Sequence, residues 1–242
     1  MRSTSPDTWV VGIDDTDMPG IGGTGRLARR LAAEIEALGL GRSVGVTRHQ
    51  FYEGPGVPKT ARNSAAAVAF TGVTSAAGLF ETACAIVAGE SIDGSDPGAA
   101  IGAGSASTDL VEFARRAQRE LVKQSEARVH GAAWATDLTG LGGTEDGVIG
   151  ALGALALRLD GDDGRFVDLP GIRRVAGLMS VAEVLDRTTI ADVIDVEERI
   201  PLAPASRLDL GDWVRPRLMG GRPVLVVRRS EEMWVNADTR SK

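Results

Sequence analysis

Cysteine is nearly absent from this chain: Cys84 is the only one. A disulfide framework within the chain is excluded, and a cysteine-based zinc site has no ligands. Lying in Ala83-Cys84-Ala85-Ile86-Val87, the thiol reads as a small core residue. Histidine is almost as scarce. His49 and His130 are far apart and read as structural or surface residues, not as ligands. Aromatic residues make up only 4%, so the core must be built mainly from Ala, Val, Leu and Ile. A surplus of positive charge is missing too: 27 Lys and Arg stand against 33 Asp and Glu, a net charge of −6. That argues against an extended nucleic-acid footprint and leaves room only for a local basic groove. No apolar run is long enough to span a bilayer, so no membrane partner is expected. The longest, Val148 to Leu157, reads as a buried helix. The first residues, Met1-Arg2-Ser3-Thr4-Ser5-Pro6, carry no apolar signal segment, and the cytoplasm is the expected location.

Glycine is abundant, with 31 residues among 242. Caps and turns rarely need so many, so some are expected to line loops that approach a ligand closely. Hydrophobic residues at 43% and charged residues at 25% mark a globular chain with a real core.

Periodicity predicts strands alternating with helices. Strands are expected at Thr8 to Ile13, Ser43 to Thr47, Ala65 to Phe70 and Arg128 to Ala135. Helices are expected at Thr24 to Leu38, Ser75 to Ala88, Ser107 to Gln124 and Asp146 to Leu159. Residues 48–63, 89–104 and 137–145 read as loops, and Asp160 to Gly164 as a turn. Past Val193, Pro201, Pro204, Pro216 and Pro223 punctuate short segments such as Val224-Leu225-Val226-Val227. The expected fold class is therefore α/β, made of strand–loop–helix units, with a small β-rich C-terminal appendage. The expected division is 1–192 and 193–242.

The first chemical signal is Gly12-Ile13-Asp14-Asp15-Thr16-Asp17, at the end of a buried strand. Three carboxylates within four residues repel one another unless a cation shares them. Hard oxygen ligands at this spacing suit Mg²⁺, which keeps waters and bridges to phosphates. Gly20, Gly22 and Gly23 follow, then Thr24 at a helix start, where backbone N–H groups and the helix dipole favour an anion. The Gly20-x-Gly22-x-x-Gly25 spacing is not read as a dinucleotide fingerprint, because acids intervene between the strand and the glycines. A solvated acidic turn with Thr24 as an ordinary cap is the plain alternative. An Asp-x-Asp phosphatase nucleophile at Asp15 and Asp17 ranks below both.

Asp137-Leu138-Thr139-Gly140-Leu141-Gly142-Gly143-Thr144 echoes Asp17-Met18-Pro19-Gly20-Ile21-Gly22-Gly23-Thr24. Both read D-x-x-G-aliphatic-G-G-T. An internal duplication that brings two glycine loops (Gly140, Gly142, Gly143 and Thr144 forming the second) onto one polyphosphate would explain the echo; so would glycine-rich composition alone. Between them, Lys59 and Arg62, beside Asn63, could clamp phosphates and offset charge developing on a transferring phosphoryl group, or could be solvated loop cations.

These motifs resemble the archaeal tRNA-isoleucine agmatinylcytidine synthetase family. The resemblance rests on Gly12 to Asp17 with Thr24, on Pro58-Lys59-Thr60-Ala61-Arg62-Asn63-Ser64-Ala65, on Ser95-Asp96-Pro97-Gly98, and on Gly147-Val148-Ile149-Gly150-Ala151-Leu152. It covers roughly the first 160 residues. It implies a kinase-like domain using ATP and Mg²⁺, with a ferredoxin-like subregion around 60–125. Asp14, Asp15 and Asp17 would match the family's metal and ATP carboxylates, and Thr24 its phosphorylatable threonine. Lys59, Thr60 and Asn63 would match its loop. Arg62 and Ser64 replace glycines of that loop, the family's zinc ribbon cannot form with one cysteine, and no full OB module follows. The expectation is a short stand-alone relative: an ATP-dependent ligase or kinase-like enzyme acting on a small-molecule or nucleotide substrate, with a homodimer compatible. A tRNA-modifying enzyme working with a partner, and a non-catalytic nucleotide-binding regulator, remain alternatives.

Overall fold

The computed structural model describes residues 7–18, 20–57, 62–134, 136–231 and 233–238. The chain is α/β, as the alternating pattern predicts. The N-terminal sheet is centred on β1 (Trp9–Asp14), which runs antiparallel between β3 (Ser64–Thr71) and β4 (Gly98–Ala103). β2 (Arg42–Gln50) extends the β3 side and β5 (Asp137–Gly140) the β4 side.

Period-2 alternation divides the strand side chains between two cores. Val11, Ile13, Ala66, Val68 and Phe70 meet α1 (Thr24–Ala37) and α2 (Ala76–Glu90) on one face. Val10, Ala65, Ala67, Ala69 and Ala100 meet α3 (Thr108–Ala117), α4 (Gln124–Ala133) and α5 (Gly147–Asp160) on the other. The strand side chains on the second face are small, so α5 lies very close to the sheet. From Gly147 to Leu159 it is buried throughout except at Ile149.

β6 (Arg165–Asp168) carries the sheet onward by pairing with both β2 and β10 (Arg217–Met219). Beyond it come β11 (Arg222–Ser230), β12 (Met233–Asn236), β9 (Arg207–Asp209) and β7 (Leu178–Ser180), with β8 (Asp192–Asp195) parallel to β11. The chain after 192 is β-rich, as its prolines and short apolar runs predict. Its core also draws on Phe166, Leu169 and Val184, together with Leu208, Leu218 and Leu225. Among the described residues, no helix is long and apolar enough to cross a membrane.

Three sequence expectations are corrected. Of the strand expected at Arg128 to Ala135, Ala135 lies outside the described residues, and residues 128–133 lie within α4. Glu126 Oε1 accepts the Lys123 N–H at its start, and the buried Ala127 and Gly131 sit one turn apart. The helix expected to reach Gln124 ends at Ala117; Leu121, which fits its periodicity, is 58% exposed just beyond it. The loop expected at 89–104 contains β4, whose Gly98-Ala99-Ala100-Ile101-Gly102-Ala103 lacks the usual β-branched signature yet is paired on both edges.

The turn at Asp160 to Gly164 ties the N-terminal sheet to the next segment. Gly161 caps α5 in the left-handed conformation. Asp163 accepts from His49 Nδ1 at 2.9 Å, Gln118 Nε2 at 3.0 Å and Arg115 Nη1 at 3.2 Å. His49 is fully buried and its Nε2 meets Thr47 Oγ1 at 2.9 Å. Burial holds the imidazole below the ordinary histidine range despite the opposing pull of Asp163, so the neutral ring donates to Asp163 and accepts from Thr47. Asp163→Ala leaves the ring N–H without an acceptor and Arg115 with Asp160 as its remaining ion-pair partner. The expected loss is about 2 kcal/mol in urea unfolding; a loss within error would show that the node is replaceable by water.

Candidate functional site

β1 delivers Asp14 at the C-terminal end of a buried strand, and the chain turns at once. Asp15 takes a left-handed φ of 52°, a conformation that aspartate tolerates better than most residues. Asp14 and Asp15 both line a cavity of about 510 Å³. Asp17, Gly23, Thr24, Gly25, Arg26, Arg29, Arg48, Arg62, Asn63 and Asp96 also line it. Gly23, at φ 136°, lets the loop pass directly into α1. Thr24, nearly buried, accepts a hydrogen bond from Thr16 Oγ1 at 3.2 Å.

The electrostatics are lopsided. Burial pushes the Asp14 carboxyl up to about 7, helped by the charges of Asp15 and Asp17 and opposed by the Asp15 N–H. Burial pushes Asp15 up to about 6, with Asp96, Asp17 and Asp146 adding repulsion and the Asp96 N–H opposing. Arg48 lies across the cavity with its Nε donating to Ser64 Oγ at 2.7 Å. Burial, and then the charge of Arg62, hold it below the ordinary arginine value. Crowded anions therefore face crowded cations in one cavity.

Of the residues singled out from sequence, the structure brings Asp14, Asp15, Asp17, Gly23, Thr24, Arg62 and Asn63 together. Gly20 is exposed on the outer turn. Gly22 packs against Asp17 and Ile92 and lines a neighbouring depression. Lys59 and Thr60 lie outside the described residues. The second glycine loop does not line this cavity. Gly140 ends β5, Gly142 packs beside Pro97, Gly143 sits against Asp96, and the Thr144 N–H donates to Asp96 Oδ1. The strand expected before that loop is α4, and Asp137 to Gly140 are themselves strand. The two look-alike loops thus occupy different local settings. The second loop holds Asp96, and Asp96 in turn faces Asp15.

Asp96, Arg26, Arg29, Arg48 and Arg215 were not assigned as site residues from sequence, although Asp96 lies in the Ser95-Asp96-Pro97-Gly98 stretch that carries the family resemblance. Arg48 also had a usable signal. It follows Thr47 in a strand whose alternate residues, Thr47 and His49, point into the protein, which turns Arg48 to the opposite face. Arg215 comes from a segment far down the chain.

A second cavity, of about 330 Å³, opens on the other side of Asp14, Asp15 and Asn63. Phe51, Tyr52, Val57, Leu121 and Ile149 form its apolar walls, and Glu120 and Asp146 add acid.

Among the described residues, no group of three carboxylate, imidazole or thiolate side chains is gathered as a metal cage. Mg²⁺ does not require one: it usually takes one or two protein carboxylates and completes its shell with water and phosphate. Asp14 and Asp15, adjacent and in electrostatic excess, fit that donor set.

No family model and no curated protein matches this chain. Solved structures do share its fold. A complex of TiaS with an isoleucine tRNA and ATP superposes with a TM-score of 0.54 at 24% identity, over 62% of this chain and 36% of that one. Apo TiaS, a tRNA agmatidine synthetase, gives 0.52 at 22% identity over 62% and 35%. A complex of TiaS with the same tRNA, AMPCPP and agmatine gives 0.52 at 23% over 61% and 36%. At these identities the likeness is one of fold, and it spans about a third of each neighbour's length.

Proposed function

We propose that this chain is an ATP- and Mg²⁺-dependent phosphoryl-transfer enzyme of the ligase or kinase-like kind, activating a carbonyl or amide-like acceptor. The observation that carries this reading is the pair Asp14 and Asp15, raised by burial and mutual repulsion, opening into the same cavity as the start of α1 and several arginines. The fold neighbours include complexes with ATP and AMPCPP, which supports a nucleotide in that cavity.

In this reading Asp14 and Asp15 hold Mg²⁺, with Asp17 beside them. When bound, the ion neutralises phosphate charge and polarises the transferring group. Gly23, Thr24 and Gly25 present the first N–H groups of α1 to the phosphates, and the Thr24 hydroxyl faces them. Arg26, Arg48 and Arg62 offset the charge that develops as the phosphoryl group leaves, with Lys59 assigned the same role. Asn63 anchors the loop, since its Nδ2 donates to the Tyr52 carbonyl at 2.8 Å. The second glycine loop, Gly140, Gly142, Gly143 and Thr144, contributes by holding Asp96. The acid-rimmed apolar cavity on the far side of Asp14 suits an amine with a hydrocarbon chain, and a fold neighbour is complexed with agmatine.

Titration calorimetry with AMPPNP tests the proposal. Binding is expected with Mg²⁺ and is expected to weaken at least tenfold in EDTA; equal affinity in both would overturn it. Thr24→Val should weaken nucleotide binding about 3- to 10-fold, the size of one lost hydrogen bond.

A second reading, a tRNA-modifying enzyme working with a partner, is favoured by the tRNA complexes among the fold neighbours. It requires tRNA affinity that falls steeply with salt.

A further inference from the structure

The nucleotide cavity continues past Arg48, Arg62 and Arg215 into a separate chamber of about 450 Å³, between β2 and the β6–β10 side of the sheet. Five arginines line it: Arg48, Arg62, Arg165, Arg215 and Arg217. The carboxylates that also line it are already engaged. Asp163 is held by His49, Gln118 and Arg115, and Asp162 Oδ1 accepts the Gly220 N–H. Arg165 and Arg217 share one carboxylate, Asp238. Among the described residues no carboxylate ion-pairs with Arg48, which has the neutral Ser64 hydroxyl, or with Arg62. Val167, Leu218 and Met219 give the chamber an apolar side.

Arg48 and Arg62 thus reach the concave chamber with no carboxylate ion-paired to them among the described residues, while the charges of Asp17 and Glu53 act on Arg48 from a distance. The chamber's volume lies in the range of small-ligand pockets. The chain as a whole carries −6, which disfavours a polynucleotide track leading away from the chamber.

We infer that this chamber binds the acceptor, a small molecule held through a carboxylate or phosphate group by Arg48, Arg62 and Arg215, with its less polar part against Leu218 and Met219. The inference rests on the phosphoryl-transfer reading, because it supplies that reaction's acceptor class.

The test uses the full chain saturated with Mg²⁺ and AMPPNP, titrated separately with succinate and with inorganic phosphate. Two variants alter residues that line this chamber and not the nucleotide cavity: Gln50→Glu adds a repelling charge, and Met219→Trp fills space. At least one anion should bind, and the tighter of the two identifies the handle as carboxylate or phosphate. Both variants should weaken that anion tenfold or more. Nucleotide bound with no measurable anion binding, or with anion affinity unmoved by both variants, overturns the inference while leaving the nucleotide site standing. Failure of AMPPNP to bind wild type removes the phosphoryl-transfer reading and this inference with it. An RNA stem-loop that binds and is weakened by both variants, with neither small anion binding, overturns it in favour of RNA.

Discussion

Asp14→Asn is expected to make the metal-free protein more stable at pH 7.5 and to weaken Mg²⁺–AMPPNP binding about 50-fold or more. Both halves come from one cause. Burial lifts the Asp14 carboxyl from 3.8 to about 7. Between these values the folded chain keeps a proton that the unfolded chain has released. Stability from this group is therefore fullest below about pH 4, declines as pH rises through the window, and levels off above pH 7. Asparagine fills the same space without the charge, so its advantage is small at pH 4.5 and largest at pH 7.5. Because the carboxyl edge reaches the cavity, solvent screens part of the penalty, and a gain of about 2 kcal/mol is expected. Urea unfolding in EDTA at the two pH values measures it. The same substitution removes one of the two adjacent carboxylates proposed to hold Mg²⁺, so nucleotide affinity should collapse as stability rises. This is the trade expected of a strained site. A variant less stable than wild type at pH 7.5 would mean that favourable contacts of the ionised Asp14, the Asp15 N–H among them, outweigh its burial. Unchanged affinity would remove Asp14 from the proposed metal site.

The sequence made part of this site legible because local rules and tertiary demands agree there. Val10-Val11-Gly12-Ile13 is apolar on both faces and lies buried in the sheet, so the acids that follow must cluster at its end. Leu27, Leu31 and Ile35 place α1 by simple periodicity. Where the sequence misled, tertiary context overrode pattern. Val129 encourages a strand reading of 128–135 but is 67% exposed on α4, whose buried residues are the small Ala127 and Gly131. β4 is held by pairing on both sides rather than by β-branched residues. The two D-x-x-G-x-G-G-T stretches are alike in letters, yet one opens α1 at the cavity and the other braces Asp96 from behind. No local pattern distinguishes those settings. Arg215 is the least legible of the arginines, since it joins Arg26, Arg48 and Arg62 from a segment far down the chain, on the side where β6 links the C-terminal strands to β2.

The seating of α5 on the sheet yields the other large expected effect. A Cβ on Gly98 would fall 2.3 Å from both Gly147 C and Val148 N, and a Cβ on Gly12 would fall 2.1 Å from the Ala151 carbonyl oxygen. These obstacles are backbone, so no rotamer relieves them. Gly98→Ala must push the start of α5 away from β4, at an expected cost of about 3 kcal/mol or more in urea unfolding. Gly89→Ala supplies the contrast. Gly89 sits in α2 with open space around its would-be Cβ, so alanine there should stabilise by about 0.5–1 kcal/mol. The damage at Gly98 should also reach the site. Gly147 packs against the Asp14 carbonyl, Gly150 packs against the Asp14 carboxylate, and the charge of Asp146 acts on Asp15. A displaced α5 therefore unseats both carboxyls. If Gly98→Ala proved as stable as wild type while nucleotide affinity still fell, α5 would be shown to yield easily, and its role would be to position Asp14 rather than to hold the fold together.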